Sequence, residues 1–332
     1  MDIITTEHGS GGEATSQLIN EIFAEAFSNP VLNAMEDAAV VSGGERIAVT
    51  TDSFVVTPLE FPGGDIGRLC VCGTVNDLLM RGAVPKYLTC GFILCEGASI
   101  AQIKRIVKSM AEPAKEAGVM VVAGDTKVVE GKGELYINTT GVGVVPEGVD
   151  ISAKNAKPGD TIIVSGNMGD HHAAILSQRL SITNNIESDN APLTEMTLKL
   201  IEAGIHVHTL RDVTRGGLAT VLKELAVASG TVFEIGEDAI PVKPEVVDFC
   251  GLLGLDPMYM GNEGKLVLVV PEEEEEKALN IIWDSKYGQD ACIIGQVKEP
   301  DVMPAGSLIM TTKIGGLRTL GILKGEGLPR IC

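Results

Sequence analysis

A chain of 332 residues is long enough for about two domains, and a hydrophobic content of 45% is ample for a real core in each. Its 45 acidic side chains against 26 basic ones leave a net charge of −19, which excludes nucleic acid or an anionic membrane as the natural partner, since either needs a basic surface. The seven cysteines show no CxxC and no framework spacing, and no apolar run approaches the ~18 residues of a membrane span. A reducing, cytoplasmic setting with mostly buried thiols is therefore expected.

The chain opens with His8-Gly9-Ser10-Gly11-Gly12, followed by a helix-like pattern at Leu18, Ile19, Ile22, Phe23 and Ala26. Such a Gly-rich arm is suited to cradling a phosphate with backbone N–H groups, or it is simply a flexible arm. It is no Walker loop: neither GxxxxGK[ST] nor GxGxxG occurs in the chain. Arg46 to Val56 alternates as a strand with Asp52 near its middle, and Gly63-Gly64 forms a turn. A helix is predicted from Ile66 to Met80, with Asn76 and Asp77 in its last turn. Pro85 to Cys95 is strand-like, and Ser99 and Gly118 bracket a second helix. A short buried strand, Val119 to Ala123, leads into Gly124-Asp125-Thr126-Lys127, and a strand from Glu134 to Val145 completes this half.

Pro146, Gly148, Pro158 and Gly159 mark a boundary. Beyond it the rhythm repeats: strand Thr161 to Val164, turn Ser165-Gly166-Asn167, and a helix through His171. A polar, looped stretch from Leu180 to Asn190 carries no assignable feature. Helices at Leu193 to Ala203 and Leu218 to Ser229 flank Arg211-Asp212-Val213-Thr214-Arg215-Gly216-Gly217. Gly261-Asn262-Glu263-Gly264 precedes the strand Lys265 to Val270, and the acidic run Glu272 to Glu276 belongs to a solvated helix face after Pro271. Strands near Cys292 to Val297 and Leu308 to Thr312 end the globular part. Mixed strands and helices in two halves give an α+β protein. No zinc site is expected, because His171-His172 and His206/His208 lack partners at ligand spacing.

The last residue is a thiol, Cys332, on a tail punctuated by Gly321, Gly325, Gly327 and Pro329. From Thr319 this tail spans roughly 45 Å when extended, at about 3.3 Å per residue. The neighbouring α-carboxylate raises the thiol pKa and Arg330 partly offsets it, so Cys332 suits an acceptor of an activated group better than an activated nucleophile. Elsewhere, Asp37, Asp52, Asp77, Asp125 and Asp212 recur in separate segments. Carboxylates on apolar elements are costly to bury unless paired or metal-bound, so convergence on hard divalent cations such as Mg²⁺ is expected.

The stretches Thr51-Asp52-Ser53-Phe54, Pro62-Gly63-Gly64-Asp65-Ile66-Gly67-Arg68-Leu69, Cys72-Gly73-Thr74-Val75-Asn76-Asp77, Ala123-Gly124-Asp125-Thr126-Lys127 and Arg211 to Leu218 together resemble the superfamily of aminoimidazole ribonucleotide synthetase, selenophosphate synthetase and thiamine-phosphate kinase. With Asn262-Glu263-Gly264-Lys265 and the terminal Pro-Arg-Ile-Cys, the resemblance narrows to the HypE family, the carbamoyl dehydratases of hydrogenase maturation. It covers essentially the whole chain.

That resemblance implies a two-domain aminoimidazole ribonucleotide synthetase-like fold. An arm (1–36) would precede an ATP-binding domain (37–148) that dimerises through a shared β-barrel, then a C-terminal α/β sandwich (149–318) and a flexible tail (319–332). It implies that HypF carbamoylates Cys332, that the group is dehydrated to a thiocyanate with ATP hydrolysis, and that cyanide passes to iron in the HypC–HypD complex for the Fe(CN)₂CO centre of [NiFe]-hydrogenases. ATP contacts are expected at His8, Gly9, Gly11, Gly12, Asp52, Asn76, Asp77, Gly124, Asp125, Thr126, Lys127, Gly166 and Asn262, and Mg²⁺ at the five aspartates. Glu263 is expected to accept a proton and Lys127 to steady the oxygen or its phosphate. Two alternatives stand beside this: a kinase or synthetase of the same superfamily acting on a free small molecule, and a non-catalytic carbamoyl or cyano carrier.

Overall fold

The computed structural model describes residues 12–13, 16, 39–43, 45–95, 97–129, 134–325 and 330–332, with the backbone alone at 39–43, 45, 100 and 125–128. In chain order the first half comprises β1 (Ala39–Gly43), β2 (Glu45–Phe54), the small hairpin β3 (Glu60–Phe61) and β4 (Gly64–Asp65), α1 (Ile66–Met80), β5 (Val84–Cys95), α2 (Ile100–Ala117), β6 (Met120–Val129) and β7 (Leu135–Val144). One sheet, ordered β1-β2-β7-β5-β6, has a single parallel pairing, β5 with β6. The helix boundaries follow local chemistry. Asp65 caps α1 by accepting the Arg68 N–H at 2.8 Å. Ser99 caps α2, and Gly118, at φ 69°, closes it.

Helix α1 is apolar nearly all round because it lies between the sheet and α2. Gly67 permits that packing: a Cβ there would come within 2.3 Å of the Ile106 carbonyl oxygen. Gly67→Ala should therefore force α2 off α1 and cost roughly 2–3 kcal/mol, read as a lower thermal midpoint. An unchanged midpoint would mean that the two helices separate freely.

The second half comprises β8 (Asp160–Val164), α3 (Asp170–Arg179), α4 (Thr194–Glu202), β9 (Thr209–Asp212), α5 (Gly217–Ser229), β10 (Val232–Gly236), α6 (Pro244–Leu253), β11 (Leu266–Pro271), α7 (Glu275–Trp283), β12 (Cys292–Lys298), β13 (Leu308–Thr311) and β14 (Leu317–Leu320). Its sheet runs β14-β13-β10-β12-β8-β11-β9. Strands β8 and β11 are continuous apolar runs because both of their faces are covered. Ile163 and Leu268 point into one apolar cluster, Ile162 and Val267 into the other. The first of these clusters also takes in Leu69, Val75, Leu79 and Ile137, so the two domains share a core.

Two expectations change. Residues 124–127 lie inside β6, which runs to Val129, because parallel pairing with β5 overrides their turn-like composition. The start of that strand is not buried: Met120 is 60% and Val122 55% exposed, and with Tyr87 and Ile93 they leave an open apolar surface on β5 and β6. The globular part also continues past Thr312. Strand β14 pairs antiparallel with β13 as far as Leu320, so the boundary expected between 318 and 319 falls within a strand.

Candidate active site

The chain terminus lies between the domains, main chain against main chain. The Val55 N–H donates to a terminal carboxylate oxygen of Cys332 and the Thr57 N–H to the Arg330 carbonyl, each at 3.0 Å, so residues 330–332 line the continuation of β2 in antiparallel sense. The Ile331 carbonyl faces the other way and accepts from His171 Nε2 at 2.6 Å. Arg179 spans both segments, donating to the carbonyls of Thr57 (2.6 Å) and Arg330 (2.5 Å). Arg330 sits at φ +58°, a conformation costly for a non-glycine residue, and is held there by its Nε donating to Val55 O and by its place over the Tyr136 ring. The Ile331 side chain fills the space beside Gly261, where a Cβ would come within 3.0 Å of its Cδ1. Ile331 and Cys332 are both buried. The end of the tail expected to be flexible is thus seated, because the main-chain oxygens of three successive residues each find a donor.

Around the sulfur stand acids from both domains. Glu263 follows the Gly261-Asn262 turn, Asp212 ends β9, and Asp52 lies on β2, with Arg215 as their counter-charge. Burial pushes the Cys332 thiol up to about 12, with Glu263, Asp52 and Asp212 adding to the rise and Arg215 opposing it. The offset expected from Arg330 comes instead from Arg215, since Arg330 is turned toward Val55 and Glu134. Glu263 is 3% exposed, and its carboxyl is held well above the usual range, first by burial and then by Asp212, Asp52 and Asp189. One of its oxygens, Oε1, has no hydrogen-bond partner, while its backbone N–H donates to Asp189 Oδ1 at 3.0 Å. Burial also raises Asp52. Asp77 accepts from the Thr50 hydroxyl at 2.7 Å and lies within electrostatic reach of Arg215.

Of the residues expected to act, Cys332, Glu263, Asp52, Asp77 and Asp212 therefore converge. Two asparagines do not join them. Asn76 spends its amide on both sides of Pro192, donating to Ala191 O and accepting from Leu193 N–H. Asn262 accepts the Gly169 N–H at 2.8 Å and donates to Met260 O. Both side chains are thus engaged within the protein, beside the site. Gly166 lines a cavity of about 280 Å³ with Lys243, Lys265 and Asp189. Gly12 packs beneath the Leu323 carbonyl, and the Glu13 N–H donates to that same oxygen. Asp125, Thr126 and Lys127 lie on β6 with Gly124, opposite Gly91 to Ile93, and their side chains fall outside the described residues. His8, Gly9, Gly11 and Asp37 also lie outside them.

The site has further members that sequence reasoning passed over. Arg215 lies within Arg211 to Leu218, where nothing in the sequence marks it out as a counter-charge. His171 was weighed only as a zinc ligand. Asp189 belongs to the loop that seemed featureless.

The excess of carboxylates over cationic charge, with an orphaned Glu263 oxygen, fits a hard divalent cation. Among the described residues no three His, Cys, Asp or Glu side chains are gathered closely enough to hold one alone.

Family models agree with this architecture. Residues 35–145 match the AIR synthase related protein N-terminal domain and residues 157–303 the C-terminal domain. A carbamoyl dehydratase HypE of Rhodobacter capsulatus is 47% identical, the match covering 99% of this chain and 98% of the relative. The crystal structure of a HypE–HypF complex has a chain 49% identical with a TM-score of 0.87, covering 92% of this chain and 99% of that one. A HypE crystal structure in complex with ATP is 45% identical with a TM-score of 0.84, covering 99% and 100%. With identity of this order along nearly its full length and the same two domains, the chain belongs to the HypE family of carbamoyl dehydratases.

Proposed function

We propose that this chain is an ATP-dependent dehydratase that converts an S-carbamoyl group on its own Cys332 into a thiocyanate, as the cyanide source for hydrogenase maturation. The observation carrying this reading is the main-chain pairing that holds residues 330–332 between the domains, with the buried Cys332 thiol within electrostatic reach of Glu263, Asp52, Asp212 and Arg215. A substrate that is part of the chain needs a path into the site, and the paired main chains at 55–57 and 330–332 provide it.

The chemistry removes oxygen from a thiocarbamate. The oxygen leaves as phosphate, two nitrogen protons depart, and a C≡N bond forms. ATP supplies the phosphoryl group that makes the oxygen a good leaving group. Asp52, Asp77 and Asp212, with Asp37 and Asp125, are the residues that would hold Mg²⁺, which supplies charge neutralisation for phosphoryl transfer. Glu263 takes a nitrogen proton: its raised pKa makes it an effective base once ionised, and Arg215 favours that ionisation. Lys127 steadies the oxygen or its phosphate. Water is excluded by the tail itself, whose Ile331 side chain plugs the seam beside Gly261.

Inside the site the free thiol stays protonated and is a poor nucleophile, so carbamoylation has to happen with the tail outside. HypF, which forms a complex with a relative, is the partner that would load it there, and the HypC–HypD complex would receive the cyanide. The open apolar surface at Tyr87, Ile93, Met120 and Val122 supports a homodimer through the first sheet.

Intact mass spectrometry after incubation with HypF, carbamoyl phosphate and ATP tests the reading. Cys332 should gain about 43 Da and then fall to about 25 Da above the free thiol as water is lost. Cys332→Ala should gain neither; an adduct retained on that variant would move the acceptor elsewhere.

A further inference from the structure

The loop 187–191 touches both halves of the reacting pair. It is squeezed between two glycines that leave no room for a side chain. A Cβ at Gly63 would lie 2.6 Å from Ser188 O, and one at Gly264 would lie 1.9 Å from Asp189 O. From that fixed place, Asp189 Oδ1 accepts the backbone N–H of Glu263. Ser188 Oγ meets His171 Nδ1 at 2.8 Å, and Nε2 of the same ring meets the Ile331 carbonyl at 2.6 Å.

A carbonyl can only accept, so Nε2 carries the proton and Nδ1 is the bare nitrogen that accepts from the Ser188 hydroxyl. The Asn190 N–H in turn donates to Ser188 Oγ at 3.2 Å, leaving that hydroxyl hydrogen free to point at the ring. Phe61 meets the imidazole edge-on, 5.5 Å between centroids at 84°, and sets its plane. A buried histidine that merely filled space would bond to fixed neighbours. This one reaches a carbonyl one residue from the end of a chain whose cargo has to be loaded elsewhere.

We infer that His171, oriented by Ser188, is the positioning residue that seats the tail: its Nε2–H bond to the Ile331 carbonyl defines the inserted state and sets Cys332 against Glu263. The N-terminal domain grips the tail's other edge through Val55 and Thr57; from the C-terminal domain Arg179 holds the Arg330 carbonyl, and His171 is the contact nearest Cys332 that stops the tip from swinging about that edge. Because the same loop carries Ser188 and Asp189, tail and base are registered to one another. The role in catalysis rests on the dehydratase reading; the seating itself does not.

Alkylation of Cys332 by iodoacetamide in the native protein, followed by mass spectrometry of the C-terminal peptide, tests the seating without nucleotide or carbamoyl donor. His171→Leu should speed Cys332 modification about tenfold, the equivalent of about 1.4 kcal/mol. Ser188→Ala, which frees the ring to turn, should speed it about threefold. His171→Gln, whose amide N–H replaces the Nε2 donor, should restore most of the protection. Cys70 and Cys72, both buried in α1, report in the same digest on whether the fold is intact. If His171→Leu unfolds the protein, Ser188→Ala decides. Unchanged Cys332 protection in folded His171→Leu, or in Ser188→Ala where Leu does not fold, overturns the proposal. In a dehydration assay the carbamoylated His171→Leu protein should accumulate; failure of the wild type to dehydrate would count against the function and leave the alkylation result standing.

Discussion

Glu263→Gln should stop thiocyanate formation, leaving carbamoylated protein to accumulate in the presence of ATP, with a loss of about 10²- to 10⁴-fold in single-turnover rate. The amide is nearly isosteric and keeps the Glu263 backbone bond to Asp189, so the tail should still seat. What is lost is the only carboxylate among the described residues that is buried, within electrostatic reach of the sulfur, and left with a bare oxygen.

The same substitution should stabilise the resting protein at high pH. Glu263 holds its proton more tightly folded than unfolded, so the folded state binds more protons between the ordinary carboxylate range and the raised native value. Stability is therefore fully present below the ordinary value and falls as pH rises through that window. Glutamine has no proton to lose. Its thermal midpoint should match the wild type near pH 5 and exceed it near pH 8, by the equivalent of roughly 2 kcal/mol for an unpaired buried charge. Equal midpoints at both pH values would mean that Glu263 is already compensated, and its role as a tuned base would fall.

Much of the frame was legible because local rules agreed with the final packing. Apolar runs at Thr161 to Val164 and Lys265 to Val270 became the doubly covered strands β8 and β11, and Ser99 and Gly118 bound α2 as their chemistry dictates. Strand β6 was misjudged because Gly-Asp-Thr-Lys has turn composition, and only its pairing with β5, a tertiary fact, holds it extended. The acids at the site were legible for the opposite reason. A carboxylate on an apolar strand or helix contradicts its surroundings, and that contradiction marks Asp52 and Asp77.

His171 carried no such signal. A histidine near the start of a helix is ordinary, and its partner lies 160 positions away in sequence, on a tail whose resting place periodicity cannot reveal. Asp189 was hidden in the same way, by a polar loop that looks solvated until Gly63 and Gly264 are seen to clamp it.

Arg215→Gln should move the rising limb of the dehydration pH profile to higher pH and lower the rate at neutral pH about 100-fold. The sign follows from which groups the guanidinium opposes. Arg215 lowers Glu263 and Cys332 and favours the ionised form of Asp52. Without it, ionising Glu263 beside Asp212, Asp52 and Asp189 costs more, so the base form appears only at higher pH. Above the displaced limb much of the rate should return, because the base is intact and only its ionisation has been postponed. Arg215→Lys keeps the charge and should leave the limb near its wild-type place. Glu263→Gln, by contrast, should show no recovery at any pH, and the double variant should behave like Glu263→Gln alone. A uniform loss in Arg215→Gln with the limb unmoved would instead place the guanidinium on the departing phosphate. Two arms of one titration thus separate tuning the base from holding the leaving group.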